Sequence, residues 1–191
     1  MVDPTAIRLP FLVDDYFVPN GCFGDNDCAG AVIDINSRAC VDRPGSAQGV
    51  CRRYTYTPLG AEDAGYQGFL GILFQDVGPN GEGGIGEVPG LKVEAGARRV
   101  VFWASVAKGT TTVYFRAGGI NNWKNVTDPT QPYTDDFGLE IPATLTPELQ
   151  QFQIDLSGVT YDEVISPFGW AIESNGSTEP IQLYVDDLRW E

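Results

Sequence analysis

The chain contains no histidine, which removes the commonest general base, the commonest zinc ligand and every Ser-His or Cys-His nucleophile arrangement. Any catalysis must run on Asp, Glu, Tyr, Lys or Arg. Basic residues are scarce, 12 Lys and Arg against 26 Asp and Glu, for a net charge of -14. That balance argues against nucleic acid and anionic membrane as partners, and against an acidic polymer unless Arg and Lys are gathered locally. No apolar run approaches the roughly 18 residues of a transmembrane helix, so membrane insertion is not expected. The segment Met1 to Thr5 lacks the basic and apolar regions of a signal peptide and reads as the start of a trimmed mature chain. Helical periodicity is nearly missing, with a single turn expected at Thr146-Pro147-Glu148-Leu149, capped by Thr146.

Short β-branched and aromatic segments are plentiful, separated by Gly, Pro, Asn or Asp. They run over 11–18, 31–35, 50–57, 66–74, 99–107, 111–117, 136–141, 150–156, 169–173 and 181–190. Ten strands without helices predict an all-β, two-sheet antiparallel β-sandwich with jelly-roll topology, formed by residues 1–191 as a single domain. The four cysteines, Cys22, Cys28, Cys40 and Cys51, fall in a region 21–51 that reads as an elaborated loop. With no C-x-x-C and no His, two disulfides in an oxidising, extracellular setting are expected rather than zinc. Of three connectivities, the local one, Cys22 with Cys28 and Cys40 with Cys51, is taken here; each bond would stabilise by roughly 2 to 3 kcal/mol.

Alternation assigns faces to three strands. Val113 and Phe115 point inward, which leaves Tyr114 and Arg116 outside; Phe137, Leu139 and Ile141 point inward, which leaves Gly138 and Glu140 outside. Trp170 and Ile172 are buried, with Ala171 and Glu173 exposed, and Trp103 is also expected in the core, with Trp190 covering one end. A shallow polar groove of Tyr114, Arg116, Glu140 and Glu173 follows, over small residues Gly138 and Ala171. Rim groups come from Tyr66, Gln75 and the loop 118–134 with Asn121, Asn122, Trp123 and Tyr133. Aromatic rings stack on pyranose faces while Arg, Glu and amides read hydroxyls, so this composition suits a sugar. A plain cross-strand ion pair between Arg116 and Glu140 accounts for the same residues. An enzyme would use Glu140 and Glu173 as a glycosidase pair, or Tyr114 and Arg116 as base and uronate holder of a lyase; no Glu-x-Asp-x-x-Glu strand supports either. The sequons at Asn125 and Asn175 are short enough to arise by chance.

Two acid pairs sit in apolar strands at opposite ends of the chain, Asp14-Asp15 and Asp186-Asp187. Neighbouring strand residues face opposite ways, so one acid of each pair turns inward and requires compensation. A calcium ion clamping the two terminal strands would supply it; solvation at a sheet edge is the alternative.

The region 49–191 resembles the jelly-roll carbohydrate-binding modules of secreted bacterial proteins, the group that includes families four, eleven and twenty-two. The matching pieces are 98–105, 112–119, 144–147 running into 152–157, 168–170, and the terminal strand 183–188. The resemblance implies a calcium ion joining the first and last strands, through Asp14 or Asp15 with Asp186 or Asp187. It also implies non-catalytic binding of a poly- or oligosaccharide on the concave sheet or at loop tips. Neighbouring catalytic domains in a longer protein are a further expectation. The acidic, glycine-rich loop 76–90 departs from the modules that this region resembles, which carry an aromatic or Asn-Trp element after the strand that corresponds to 66–74.

Overall fold

A computed structural model of the chain describes residues 5–25, 31–35, 47–76, 85–120 and 133–191; the side chains of residues 34 and 35 are not among them. The chain folds as an antiparallel β-sandwich. The front sheet has the strand order β2 (Val18–Gly24), β5 (Phe69–Gln75), β12 (Phe168–Glu173), β8 (Thr111–Gly118) and β9 (Gly138–Leu145). The back sheet runs β10 (Gln150–Asp155), β7 (Arg99–Val106), β13 (Ile181–Trp190), β4 (Arg52–Tyr56) and β3 (Ala31–Ile35), with β1 (Phe11–Leu12) paired to β13. Two short strands, β6 (Leu91–Lys92) and β11 (Glu163–Val164), form a separate ribbon. Apart from the β3–β4 and β8–β9 neighbours, the long strands pass alternately from one sheet to the other, which is the jelly-roll path. No helix among the described residues is long and apolar enough to cross a membrane.

The period-2 pattern explains the core. Val113 and Phe115 of β8, Trp170 and Ile172 of β12, and Phe102 and Ala104 of β7 all turn between the sheets and are almost fully buried. Phe102, Phe115 and Phe168 meet at ring-centroid distances of 4.5 to 5.8 Å, and Tyr54 packs edge-on to Trp170 at 4.9 Å. Each such side chain contributes about 1.5 to 3 kcal/mol on burial. Trp190 closes one end against Phe11 and Tyr161, its indole N–H donating to the Pro167 carbonyl at 3.0 Å.

Several expectations need correction. Trp103 lies half-buried on the outside of β7, because Val100 to Trp103 is apolar on both faces and Phe102 takes the inner side. The expected strand 11–18 breaks into β1, a 3-10 turn over Val13–Asp15, and the start of β2, so Asp14 and Asp15 sit on a turn. Thr146 to Leu149 is a bend and not a helical turn; the Thr146 hydroxyl accepts the Glu148 N–H at 3.3 Å, giving the backbone a local alternative to helix. The register of β13 against β7 shifts between Asp186 and Arg189, and Asp187 takes φ 50, so both aspartates are buried together where alternation would separate them.

Cys22 and Cys51 are disulfide-bonded. Cys28 and Cys40 lie outside the described residues, and with them the connectivity.

Candidate functional site on the front sheet

Strand register places the groove residues in rows across the outer face of the front sheet. One row reads Leu73, Gly169, Arg116 and Glu140, from β5 to β9. The next reads Phe23, Gly71, Ala171, Tyr114 and Pro142. Glu173 stands opposite Phe69 in the row beyond, exposed to solvent. Tyr114, Arg116 and Glu140 are half-buried and turn outward as alternation requires. Ala171 is only 7% exposed, against the expectation of an open position, since a methyl between larger neighbours has little surface to present.

The face is built around missing side chains. A Cβ at Gly71 would run into the Phe23 ring, so the glycine lets that ring lie flat across β5. With Gly169 in the neighbouring row, the Arg116 guanidinium can reach over the sheet to a point 5.4 Å from the Phe23 centroid while its Nε holds Glu140 at 2.6 Å. The Phe23 ring over Gly71 and the Tyr114 ring therefore stand on either side of Ala171, with the Arg116–Glu140 pair along one side and Glu173 beyond the other.

One end of this face is closed. Leu73, Ile120 and Ile165 form a small apolar cluster, with Phe23 and Ile85 packed against it. Gln75, expected at the rim, is buried beneath this cover; its Oε1 accepts the Gly86 N–H at 3.2 Å, and glycine at position 21 leaves room for its amide. Asp135 holds the cover down. Its carboxylate accepts N–H groups of Ile120 at 3.1 Å and Ile165 at 2.8 Å, and burial pushes its pKa up to about 7 against the pull of those bonds. Tyr133 is exposed and its backbone N–H donates to the Gly86 carbonyl at 3.3 Å, beside the covered end. Tyr66 is half-buried at the far end, its ring against Gly68. Asn121, Asn122 and Trp123 lie outside the described residues. Sequence reasoning missed Phe23, whose signal was Gly71, a glycine inside an otherwise apolar strand that marks a close approach.

Glu140 and Glu173 are not placed as a glycosidase pair. They belong to β9 and β12 with β8 between them, four residues out of register, which sets their Cα atoms roughly 17 Å apart on ordinary strand spacings. A retaining pair holds its carboxyls about 5 to 5.5 Å apart and an inverting pair about 6.5 to 9.5 Å. Arg116, the candidate uronate holder, has its charge matched by Glu140.

The four aspartates lie near two chain segments that run side by side, since Phe11 and Leu12 pair with Trp190 and Arg189. Three of them, Asp14, Asp186 and Asp187, are compensated by arginine and backbone N–H. Asp14 Oδ1 accepts from Arg52 Nη2 at 2.5 Å and Nε at 3.0 Å, deep in the fold, with the guanidinium over the Phe74 ring. Burial still pushes the Asp14 carboxyl above the usual carboxylate range, with Arg52 opposing the rise. Asp187 Oδ1 accepts the Gln48 N–H and lies 3.2 Å from Arg189 Nε, and Asp186 Oδ1 accepts the Asp187 N–H. Asp15 is exposed. A cation cradle needs converging lone pairs rather than guanidinium donors, and no group of three or more acidic or cysteine side chains converges on one among the described residues. The donor set here fits arginine compensation.

No family model matches the chain, and no curated protein matches it. Among solved structures, it is similar to a family 11 carbohydrate-binding module of a cellulosomal cellulase of Clostridium thermocellum, at 10% identity and TM-score 0.49, over 97% of this chain and 95% of that one. A Clostridium thermocellum family 11 module in complex with a β-1,3-1,4-mixed-linked tetrasaccharide is similar at 11% identity and TM-score 0.46, over 92% and 94% of the two chains. A family 61 module in complex with β-1,4-galactotriose is similar at 11% identity and TM-score 0.44, over 89% and 86%. These solved neighbours are carbohydrate-binding modules. Identities this low leave the function of this chain to be argued from its own residues.

Proposed function

We propose that the protein binds a carbohydrate without transforming it, on the open part of the front sheet's outer face. The observation that carries the reading is the row Phe23, Gly71, Ala171, Tyr114: two aromatic rings over a floor of small residues, with charged groups beside it. A pyranose presents apolar C–H faces to rings and hydroxyls to forked polar groups, and this arrangement offers both. The disulfide-bonded state of Cys22 and Cys51 favours an oxidising compartment and thus a secreted protein. Catalysis has no support from the two groove glutamates, given their separation.

A glycan array tests the reading, followed by affinity electrophoresis of the hits with Tyr114→Ala and Glu173→Gln. Binding without product release, weakened about tenfold or more in Tyr114→Ala, is expected from the loss of one stacking ring. An array without hits, or undiminished affinity in Tyr114→Ala, overturns it.

A further inference from the structure

Among the described residues, the two larger clefts away from the front sheet lie close together. Both are at the end of the sandwich where the N-terminal segment meets β13. One, of about 480 Å³, is lined by Leu9, Phe11, Gln48, Arg98 and Arg189, among others. The second, of about 620 Å³, shares Pro10, Phe11, Leu12 and Gln48 with it and extends past Arg8 and Tyr16. The two clefts adjoin along Pro10, Phe11 and Leu12, and together they make the groove. Backbone bonds from Ile7 to Lys92 and from Glu94 to Ile7, both under 3 Å, fix its wall, so the groove is a built part of the fold.

Its lining is slightly basic, with Arg8, Arg98 and Arg189 against Asp15 and Glu191. In a chain of net charge -14, Arg8, Arg98, Arg99 and Arg189 collect at this end. Arg99 and Arg189 are matched, at 2.7 Å and 3.5 Å respectively from Glu191, with Arg189 also on Asp187. Arg8 and Arg98 are exposed, and neither forms an ion pair among the described residues. The acid that faces them unmatched is exposed Asp15. Tyr16, 46% exposed, stands edge-on to Phe11 at 5.8 Å and presents its ring along the groove.

We propose that this groove is a second saccharide site, selective for a uronate-containing chain. A guanidinium meets a carboxylate with two parallel N–H bonds, and an exposed tyrosine ring meets a pyranose face. Arg98 and Arg8, in the two connected clefts, engage carboxylates of a polymer that the front face, with Arg116 already matched to Glu140, does not favour. The gathered arginines meet the condition under which so acidic a protein accepts an acidic polymer.

The test is affinity electrophoresis and calorimetry with polygalacturonate, its fully methyl-esterified form and poly-L-glutamate, in low and high salt. Retention is expected in polygalacturonate alone, falling about tenfold in Arg98→Ala and in Arg8→Ala, lost in Arg98→Glu, and weakened by salt. Both arginines are exposed, so an unchanged melting midpoint verifies that each variant is folded. Tyr114→Ala is expected to leave polygalacturonate retention intact. No retention, equal retention by the methyl ester, or affinity undiminished in Arg98→Ala overturns the proposal. Binding of poly-L-glutamate at equal strength overturns the saccharide assignment in favour of an acidic peptide. Loss of uronate binding in Tyr114→Ala but not in Arg98→Ala moves the ligand to the front face, sinking the groove while leaving the carbohydrate reading standing.

Discussion

At the end of the sandwich where β1 meets β13, buried Asp14 and Asp187 are answered by arginine side chains; around the front sheet, buried Asp25 and Asp135 are answered mainly by N–H groups of loops. The first arrangement ties strands together by charge. The second ties loops to the sheet by hydrogen-bond acceptance. Asp25 takes the Tyr56 hydroxyl at 2.5 Å and the N–H groups of Leu59, Gln67 and Gly68. Burial raises its pKa, but those four donors outweigh burial and hold the carboxyl below the usual range. Asp135 is enclosed more completely, beside Asp136, and its donors lose to burial. The same device, an acid pinning a loop, thus gives opposite titration behaviour depending on how much water is excluded.

The largest effect is expected at the charge-matched end. The Arg52 and Asp14 side chains are 6% and 4% exposed, so Arg52→Met strands a buried carboxylate and should cost about 3 to 5 kcal/mol in urea unfolding. Arg52→Met combined with Asp14→Leu should recover most of that loss, because no charge is then left unpaired. The melting midpoint should be the same with and without a chelator. A fall on chelation would show that a cation shares the compensation and would revive the calcium expectation. Next in size is Asp25→Ala, which orphans a buried hydroxyl and three N–H groups and should cost about 3 kcal/mol. Tyr56→Phe should add little on top of it, which thermal melts of the single and double variants would measure.

A smaller effect separates the two loop acids by pH. A carboxyl raised to about 7 in the fold binds its proton more tightly there than in the unfolded chain. Its stabilising contribution is therefore full below the ordinary aspartate range and is lost as pH rises toward 7. The melting midpoint should climb between pH 8 and pH 5, and Asp135→Asn should flatten that slope. Asp25, held low, acts in the reverse sense: its contribution is present above the ordinary range and is lost only in stronger acid. A slope that survives Asp135→Asn would transfer the titration elsewhere, with Asp14, also raised by burial, the first to examine.

The inward and outward assignment of β8, β9 and β12 was legible because each alternates apolar with polar or small residues, and that alone placed Tyr114, Arg116, Glu140 and Glu173 outside. Trp103 was not legible, since a run apolar on both faces carries no period-2 signal. The acid pairs were misjudged for a related reason: alternation cannot anticipate a 3-10 turn at Val13 or a bulge at Asp187, and it treats buried acids without naming distant partners such as Arg52. Gln75 was placed at the rim because nothing local shows that Ile85, Ile120 and Ile165, far apart in sequence, cover that end of the sheet. The groove lined by Arg8, Arg98 and Tyr16 was invisible for the same reason, its walls coming from three separated segments.

The smallest expected change in stability falls on the charge pair that faces the ligand proposed for the front sheet. Arg116 and Glu140 are 21% and 22% exposed, and water screens what Arg52 and Asp14 feel in full. Arg116→Gln should therefore cost below about 1 kcal/mol. Its effect on glycan affinity should be the greater of the two, because the guanidinium also lies over Phe23, beside the small-residue floor, and its removal frees that ring as well as Glu140. Urea unfolding and affinity electrophoresis of the same variant read the two quantities separately. A loss of stability as large as that of Arg52→Met would mean that the pair braces the sheet, and the functional reading of this face would have to rest on Tyr114 and Phe23 without it.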